Sequence, residues 1–203
     1  MNKIFFSADT HIGHKNILNH KPLRPHADSL DIQAHDKWII DLWRKTISKH
    51  DRIYFAGDLT FYNSANARNL LSHLTGEKYL AAGNHDDHLK AHLSHFQKVA
   101  QIIELTIKPS MCDCLPEDLN IVLCHYPLLD WPGKRQGAIM LHGHCHGSLD
   151  DYNAQSADLR FDVGIDGVLA QKAGGFIDLP TLYEAILEKT SQRTPRQYAT
   201  EIY

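Results

Sequence analysis

The chain has 203 residues, of which 43% are hydrophobic and 22% are charged, and its formal net charge is −3 at pH 7. This composition is not that of a disordered chain, and the charge gives no overall basic footprint for nucleic acid. No apolar stretch approaches the roughly 20 residues that span a bilayer, and we expect no signal peptide over residues 1–10, which are too short a stretch and turn polar too soon. We therefore expect one globular domain, residues 1–203, located in the cytoplasm.

The first half of the sequence predicts strands that alternate with helices. Residues 3–8 form a short β-branched and aromatic run, typical of a buried strand, that ends directly before Asp9. Apolar residues at helical spacing over residues 31–48 predict a core-facing helix. A strand, a helix and a further strand are predicted at 52–56, 64–74 and 78–82. Two successive strand-to-helix units favour parallel strands covered by helices.

The second half of the sequence predicts mostly strands with short connections. These strands are 99–107, 119–124, 138–142 and 160–165. Residues 108–118, which contain two prolines, are predicted to form a loop, and residues 181–190 a last helix. The final residues, around Pro195, are expected to fray. The layout is therefore α/β followed by mostly β, without an internal repeat or a linker.

The four cysteines give no disulfide framework or zinc motif. Cys112 and Cys114 form a single pair without the second pair that a zinc knuckle needs, and Cys124 and Cys145 stand apart. In a cytoplasmic setting we expect all four to be reduced.

Polar clusters follow several of the predicted strands. They are Asp9-Thr10-His11, Gly57-Asp58, Gly83-Asn84-His85-Asp86, His125 and the run from His142 to His146. Each cluster by itself is more often a turn or a helix cap than a ligand site. The carboxyl ends of parallel strands lie along one edge of a sheet, however, so these side chains are expected to converge on a shared crevice.

The donor types indicate transition metals. Carboxylate, imidazole and amide donors suit Mn, Fe, Zn, Co or Ni, whereas the set is too rich in nitrogen for calcium and lacks the thiolates of a structural zinc site. Asp9 and His11 are two residues apart, so in an extended segment both side chains point to the same face and can hold one ion. His144 and His146 have the same spacing.

The ordered set of motifs resembles the calcineurin-like metallophosphoesterase superfamily, in particular its small bacterial and phage members. The matches extend from residue 9 to residue 146, and the segment 160–166 resembles the closing strand of those members. The resemblance implies an α/β fold, a four-layer α/β/β/α sandwich of two mixed sheets flanked by helices. It also implies a two-metal centre, for which we favour manganese.

The resemblance assigns the ligands to two ions that share Asp58. One ion would be held by Asp9, His11, Asp58 and His146, and the other by Asp58, Asn84, His125 and His144. Such a pair can clamp a phosphate and lower the pKa of a shared water to about 7, which makes hydroxide available for in-line attack on phosphorus. The expected activity is hydrolysis of a phosphomonoester or phosphodiester.

Two residues next to Asn84 are predicted to be catalytic. By resemblance, His85 reaches the substrate and stabilises or protonates the leaving oxygen. Asp86 would orient His85 by accepting a hydrogen bond from its other ring nitrogen. The alternative for Asp86 is the N-cap of a helix over residues 87–91.

Several neighbouring residues keep two interpretations. His142 could replace one histidine of the ligand pair, but the Gly-His-x-His pattern of the family favours His144 with His146. Cys145 could bind metal, although alternation favours the opposite face. His14 could contact substrate phosphate or be a solvated residue, and Arg135 could guide an anionic substrate or be ordinary surface. The histidines at 88, 92 and 95 are expected to form a solvated helix face.

Two other functions share this pattern. A catalytically inactive scaffold of the same fold would be expected to lose site residues, whereas every expected position is filled here. A nuclease of this superfamily would be larger, with capping and dimerisation segments. We therefore expect a small phosphorylated substrate, with no membrane and no clear nucleic-acid partner, and the sequence does not indicate an oligomeric state.

Overall fold

The computed structural model of the protein describes residues 2–191, so the fraying predicted around Pro195 lies outside the described residues. The strands are β1 (Ile4–Ser7), β2 (Arg52–Phe55), β3 (Glu77–Ala81), β4 (Lys98–Ala100), β5 (Ile102–Ile107), β6 (Leu119–Cys124), β7 (Ile139–His142), β8 (Arg160–Asp162) and β9 (Ile177–Asp178). The α-helices are α1 (Ile17–His20), α2 (Ile32–Thr46), α3 (Ser64–His73), α4 (Asp150–Gln155), α5 (Val168–Ala173) and α6 (Leu179–Ser191). Short 3-10 segments cover Asp87–His95, Pro109–Met111 and Lys134–Gln136.

The strands form two mixed sheets. The first has the order β4-β3-β2-β1-β9, in which the first four strands are parallel and β9 is antiparallel to β1. The second has the order β5-β6-β7-β8, in which β5 is antiparallel to β6 and the other three are parallel. Parallel neighbours dominate both sheets, as expected where helices and long loops connect the strands.

The two sheets face each other across the larger of the hydrophobic cores. Alternate side chains of β1, such as Ile4 and Phe6, meet Leu123 of β6 and Leu141 of β7 in this layer. The next residues along β1 and β2, Phe5 among them, point to the outer face of the first sheet, as the period of two in a strand requires.

Helices α2 and α3 cover the outer face of the first sheet. The carboxylate of Asp31 accepts the backbone N–H groups of Gln33 and Ala34 at 3.0 Å and so begins α2. Ile39 and Trp43 of this helix and Leu71 of α3 are buried against the sheet. Four of its charged residues, Lys37, Asp41, Arg44 and Lys45, are exposed on the other side, whereas Asp36 is buried.

The outer face of the second sheet is covered by α4 and by the loop that contains Trp131. Trp131 packs on Val122 and Met140, and Asn153 of α4 donates a hydrogen bond to His142 at 3.0 Å. The order of layers is therefore helices, sheet, sheet, and a cover of short helix and loop. The predicted α/β sandwich of two mixed sheets is confirmed.

One predicted strand is divided between the sheets. The apolar run at 99–107 was expected to be a single strand, but the structure breaks it at Gln101, with β4 in the first sheet and β5 in the second. A run of apolar residues does not reveal where the chain crosses from one sheet to the other. Four short elements, α1, α4, α5 and β9, were not predicted, because they have too few residues for a hydrophobic period.

The cysteine prediction is corrected in one respect. Cys112 and Cys114 form a disulfide in the Lys108–Asp118 loop, whereas Cys124 and Cys145 are free thiols, as expected. Within residues 2–191, no helix has both the length and the apolar composition needed to cross a membrane.

The two sheets join where their parallel strands end. Ala8, directly after β1, forms a parallel bridge with Gly164, just beyond β8. The carboxyl ends of β1, β2 and β3 and those of β6, β7 and β8 therefore meet at one end of the sandwich. The polar clusters identified in the sequence all lie at this end.

The packing of Trp43 predicts its contribution to stability. Its side chain is 1% exposed, its ring contacts Phe176 edge-on at 5.3 Å, and its indole N–H donates to the carbonyl of Thr75 at 3.0 Å. We expect Trp43→Ala to lower the free energy of unfolding in urea by about 3–5 kcal/mol, because it opens a cavity. Trp38→Ala, at a half-buried position on the same helix, should cost clearly less; equal losses would contradict the assignment of Trp43 to the core.

Candidate metal centre

Each predicted ligand lies in a loop directly after a parallel strand, as the sequence predicted. Asp9 and His11 follow β1, Asp58 follows β2, and Asn84 follows β3. In the second sheet, His125 follows β6, and His144 and His146 follow β7. The loops are tied to one another by backbone hydrogen bonds, for example from the N–H of Asp9 to the carbonyl of Gly57 at 3.0 Å.

Five of the ligand positions have an unusual backbone conformation. Of the seven non-glycine residues with a positive φ in the described part of the chain, five are predicted ligands. They are Asp9 (58°), His11 (49°), Asp58 (58°), His144 (67°) and His146 (50°). Such conformations cost free energy for residues with a Cβ and concentrate where function requires a particular side-chain direction.

Asp9, His11 and His146 form the first group, in which three ligand atoms lie within 4.8 Å of one another. Nε2 of His11 lies 3.9 Å from Oδ1 of Asp9 and 3.6 Å from Oδ2 of Asp58. Nδ1 of His146 donates to Asp166 at 2.6 Å, so its Nε2 is left with the lone pair that a metal needs.

Three buried atoms of the first group lack hydrogen-bond partners among residues 2–191. They are Oδ1 of Asp9 and both ring nitrogens of His11, and both side chains are nearly fully buried. The other oxygen of Asp9, Oδ2, accepts the backbone N–H of His144 at 2.9 Å. Since buried polar atoms are rarely left without partners, Oδ1 of Asp9 and one ring nitrogen of His11 fit ligands of a cation.

Asn84, His125 and His144 form the second group, and ligand atoms of His125, Asp58 and Asp9 also lie within 4.8 Å of one another. Nδ1 of His125 lies 2.8 Å from the carbonyl of Ala56, which can only accept, so Nδ1 carries the hydrogen. Nε2 of His125 then faces Oδ1 of Asn84 at 2.9 Å and Nδ1 of His144 at 3.2 Å. Acceptor atoms at these distances repel each other unless a proton or a cation lies between them.

Asp58 lies between the two groups and could serve both. Its Oδ2 is 3.6 Å from Nε2 of His11 and 3.6 Å from Nε2 of His125. Its Oδ1 accepts the backbone N–H of His85 at 3.0 Å. The expected bridge would therefore use one oxygen, Oδ2. Gly83 permits this approach, because a Cβ there would collide with Oδ1 of Asp58.

The separations of the donor atoms fit metal coordination. Two donors about 2.1 Å from one ion, at bond angles of about 90–109°, lie about 3.0–3.4 Å apart. The separations around Nε2 of His125 are 2.9, 3.2 and 3.6 Å. Small adjustments of side chains would therefore complete each group.

Burial determines the charge states in the cluster. It raises the pKa of Asp9 well above the usual range, and the carboxylates of Asp162 and Asp58 raise it further. Burial lowers the pKa of His11 to about 2, so its imidazole is neutral at pH 7 and offers a lone pair. Buried carboxylates that repel one another and neutral imidazoles are a combination that a divalent cation would stabilise.

Three aromatic side chains border the cluster on its exposed side. Phe61 stacks on His14 at 3.9 Å with an interplanar angle of 8°, and its ring lies 4.5 Å from that of His85. The ring of His14 lies 5.5 Å from that of His11. The structure therefore brings both His14 and His85 to the edge of the cluster, where a substrate could reach them.

The carboxylate of Asp86 contacts backbone groups rather than His85, although Asp86 stands at the N-cap position of the Asp87–His95 segment, as its alternative interpretation expected. Its carboxylate accepts three backbone N–H groups, from Gly83 (2.9 Å), Asp58 (2.7 Å) and Leu59 (3.1 Å). It makes no side-chain cap on the Asp87–His95 segment, and no described hydrogen bond joins it to His85. Asp86 instead ties the loop after β2 to the loop after β3. Only the tertiary structure reveals this role, because the two loops are distant in sequence.

His142 lies outside the ligand set, as preferred from the sequence. It is fully buried, and its ring nitrogens are engaged by the carbonyl of Gly143 at 2.8 Å and by Asn153. For Cys145, burial raises the pKa of the thiol to about 11.

The remaining candidates are placed at the surface or away from the cluster. Arg135 is exposed on the Lys134–Gln136 turn, and no hydrogen bond or ion pair described for residues 2–191 joins it to the ligands. Its role in substrate binding stays a prediction. Among the three histidines expected to be solvated, His92 is buried and contacts the hydroxyl of Ser64 at 2.9 Å, which corrects that expectation for this residue.

Sequence reasoning missed two residues that contact the ligand loops. Arg24 is buried and reaches the carbonyl groups of Asp9 and Thr10, and Asp166 contacts His146. Asp166 follows β8 and could have been found by the same rule as the other strand-end residues. Arg24 lies in an irregular segment, and its sequence context gives no signal.

Comparisons with known proteins show the family of this chain. No family model matches the sequence. The chain is 30% identical over 155 residues to the Uncharacterized protein MJ1445 of Methanocaldococcus jannaschii, covering 75% of this chain and 74% of the archaeal one. The chain therefore belongs to the same family as this archaeal protein.

Two further likenesses extend the comparison. The Gene 66 protein of Mycobacterium phage L5 is 25% identical over 172 residues, which cover 73% of this chain and 80% of the phage protein. The crystal structure of the Protein of Unknown Function AQ665 from Aquifex aeolicus superposes with a TM-score of 0.63. It covers 94% of this chain and all of AQ665 at 21% identity, and so shares the fold.

The contacts of Asp86 predict a structural role that can be measured. In Asp86→Asn, an amide N–H group faces one of the three backbone donors, so we expect the free energy of unfolding to fall by about 1–3 kcal/mol. Asp28→Asn, at an exposed position, is the matched control in the same urea titration. Equal midpoints for the two variants would contradict this role.

Proposed function

We propose that this protein is a binuclear metal-dependent phosphoesterase that hydrolyses a phosphomonoester or a phosphodiester. The observation that carries the proposal is the position of Oδ2 of Asp58, 3.6 Å from a histidine nitrogen of each group. A shared carboxylate oxygen between two nitrogen-rich groups is suited to two neighbouring cations. The resemblance of the ordered motifs to the calcineurin-like metallophosphoesterases supports the same activity.

The ligand sets are proposed as the resemblance assigns them. The first ion would be held by Asp9, His11, Asp58 and His146, and the second by Asp58, Asn84, His125 and His144. The mixture of imidazole, carboxylate and amide donors suits Mn, Fe, Zn, Ni or Co, with Mn favoured. When bound, two such cations would supply Lewis acidity toward phosphate oxygens and lower the pKa of water at the site.

The chain supplies few negative charges to the proposed centre. Asp9 and Asp58 are its two carboxylates, and the amide of Asn84 contributes an oxygen without further charge. Asn84 and His144 are exposed, so the centre is open to solvent on one side. The arrangement would retain a net positive charge and attract an anionic phosphate from that side.

His85 is the proposed proton donor. Its backbone N–H is fixed by Oδ1 of Asp58, and its exposed ring packs beside Phe61 at the rim of the cluster. From this position the imidazole can hold a proton and deliver it to the leaving oxygen of the ester. The proposed substrate contacts are His14, which stacks on Phe61, and the exposed Arg135.

The proposal predicts a particular effect of removing His85. We expect manganese-loaded protein to hydrolyse p-nitrophenyl phosphate or bis-(p-nitrophenyl) phosphate, and His85→Ala to lower turnover by about 10²–10⁴-fold with its metal content unchanged. His50→Ala, an exposed histidine ahead of β2, is the matched control. If His85→Ala instead loses its metal, the role of His85 is wrong. If metal-loaded protein turns over neither ester, the result favours an inactive scaffold.

The donor set also predicts which cations stabilise the fold. A cation at 100 times its dissociation constant should add about 2.7 kcal/mol to the free energy of unfolding. We expect Mn²⁺ to raise the melting temperature of chelator-treated protein and Ca²⁺ to raise it much less, because calcium prefers oxygen ligands. Asn84→Ala should reduce the effect of Mn²⁺. An unchanged melting temperature with Mn²⁺, Zn²⁺, Ni²⁺ and Co²⁺ would contradict the metal centre.

The natural substrate is proposed to be a small phosphorylated compound, and the cytoplasm stays the predicted location. A panel of phosphorylated metabolites, assayed with manganese-loaded protein, is the direct way to identify the compound.

A further inference from the structure

Arg24 has an unusually complete set of contacts for a buried arginine. Its side chain is 3% exposed, and all five of its N–H groups have an acceptor. The acceptors are Oδ1 of Asp166 (2.7 Å), Oδ2 of Asp166 (2.6 Å), the carbonyl of Asp9 (2.6 Å), the carbonyl of Thr10 (3.1 Å) and Nε2 of His35 (3.3 Å). A planar guanidinium is required for such a pattern, and the ammonium group of a lysine cannot reproduce it.

One side of this guanidinium leads to His146. Both carboxylate oxygens of Asp166 are held by Arg24, and Oδ2 also accepts the hydrogen of Nδ1 of His146 at 2.6 Å. The ring of His146 is thereby fixed in orientation and in tautomer, with Nε2 directed to the first group. A carboxylate behind a ligating histidine also makes the histidine a stronger donor.

The other side leads to the loop that contains Asp9 and His11. Arg24 holds the carbonyl groups of Asp9 and Thr10, on the segment where Asp9 and His11 both have a positive φ. Hydrogen bonds from a charged donor are about twice as strong as neutral ones, so they help to offset the strain of this backbone.

A third contact anchors Arg24 to the scaffold. His35 on α2 lies 3.3 Å from Nη1 of Arg24 and 3.2 Å from the carboxylate of Asp36. Asp36 accepts the N–H of Gly13 at 2.9 Å and the hydroxyl of Tyr62 at 2.7 Å. The arginine is therefore held by a rigid helix rather than by the surface segment on which it lies.

We infer that Arg24 and Asp166 are positioning residues that determine the affinity of the first metal ion and leave the second unaffected. The inference rests on the proposed function, because it presupposes a two-metal centre. In the part of the chain that the structure describes, hydrogen bonds of Arg24 reach the loop of Asp9 and His11 and, through Asp166, His146. None of them is made to Asn84, His125 or His144, and the link from this network to the second group is the backbone N–H of His144 on Oδ2 of Asp9.

The test is a titration of the metal-free proteins with Mn²⁺ by calorimetry, with bound metal counted by mass spectrometry. We expect two ions in the unmodified protein. Arg24→Lys and Asp166→Asn should each weaken one ion by about 10–100-fold, the usual effect of losing the partner of a ligating histidine. The other ion should keep its affinity.

A buried arginine elsewhere provides the matched control. Arg160 is 2% exposed and is held by Asn153 at 2.8 Å and by the carbonyl of Leu128 at 2.9 Å, away from the ligands. Arg160→Lys should lower the melting temperature of metal-free protein without changing either metal affinity. If Arg24→Lys does not fold, Asp166→Asn carries the test, since it preserves the size of the side chain.

Two backgrounds identify the ion that is weakened. With Asn84→Ala, which is expected to weaken the second ion, adding Asp166→Asn should strongly reduce the remaining uptake. In the His11→Ala background, which is expected to lack the first ion, adding Asp166→Asn should leave the remaining metal uptake unchanged. If both Arg24→Lys and Asp166→Asn bind two ions with unchanged affinity, the inference is wrong while the proposed function stands. The same holds if either variant weakens the second ion. An unmodified protein that takes up no ion would overturn the proposed function as well.

Discussion

The whole arrangement depends on the meeting of two sheets at the carboxyl ends of their parallel strands. The bridge between Ala8 and Gly164 joins the sheets beside Asp9, and Nδ1 of His125, after β6, donates to the carbonyl of Ala56, after β2, at 2.8 Å. Loops that are far apart in the sequence are thereby held at fixed separations. Without this junction, the proposed ligands would be ordinary turn residues.

This junction concentrates strain and like charge in a small volume. Five ligand positions with positive φ cost of order 1–3 kcal/mol each. The buried carboxylates of Asp9, Asp58 and Asp162 also repel one another. The hydrophobic cores offset the free-energy cost of this strain and repulsion. Asp86 and Arg24 contribute as well, because their side chains hold the backbone of the loops that contain the strained residues. A scaffold of this rigidity is what a site with defined donor separations needs.

Much of the fold and of the site was predictable from the sequence, and the failures share a cause. Apolar runs and their polar ends located most of the strands and all the loops that carry proposed ligands. The run at 99–107 was assigned to one strand because periodicity does not report sheet membership. Asp86 was assigned to His85 because the two are adjacent in sequence, whereas its partners are backbone groups of a loop 28 residues earlier. Arg24 was missed because its partners, Asp166 above all, are distant in sequence.

The sequence by itself determined the alternation of strands and helices, the residue types available as ligands and their position after strands, since these follow from local periodicity and chain order. The tertiary structure decided which nitrogen of His125 and of His146 is free, that a single oxygen of Asp58 faces both groups, and that Arg24 holds the loops of only one of them. These properties depend on distances between loops separated by up to 142 residues, as for Arg24 and Asp166. Such distances are set by how the two sheets pack, which no local sequence pattern encodes.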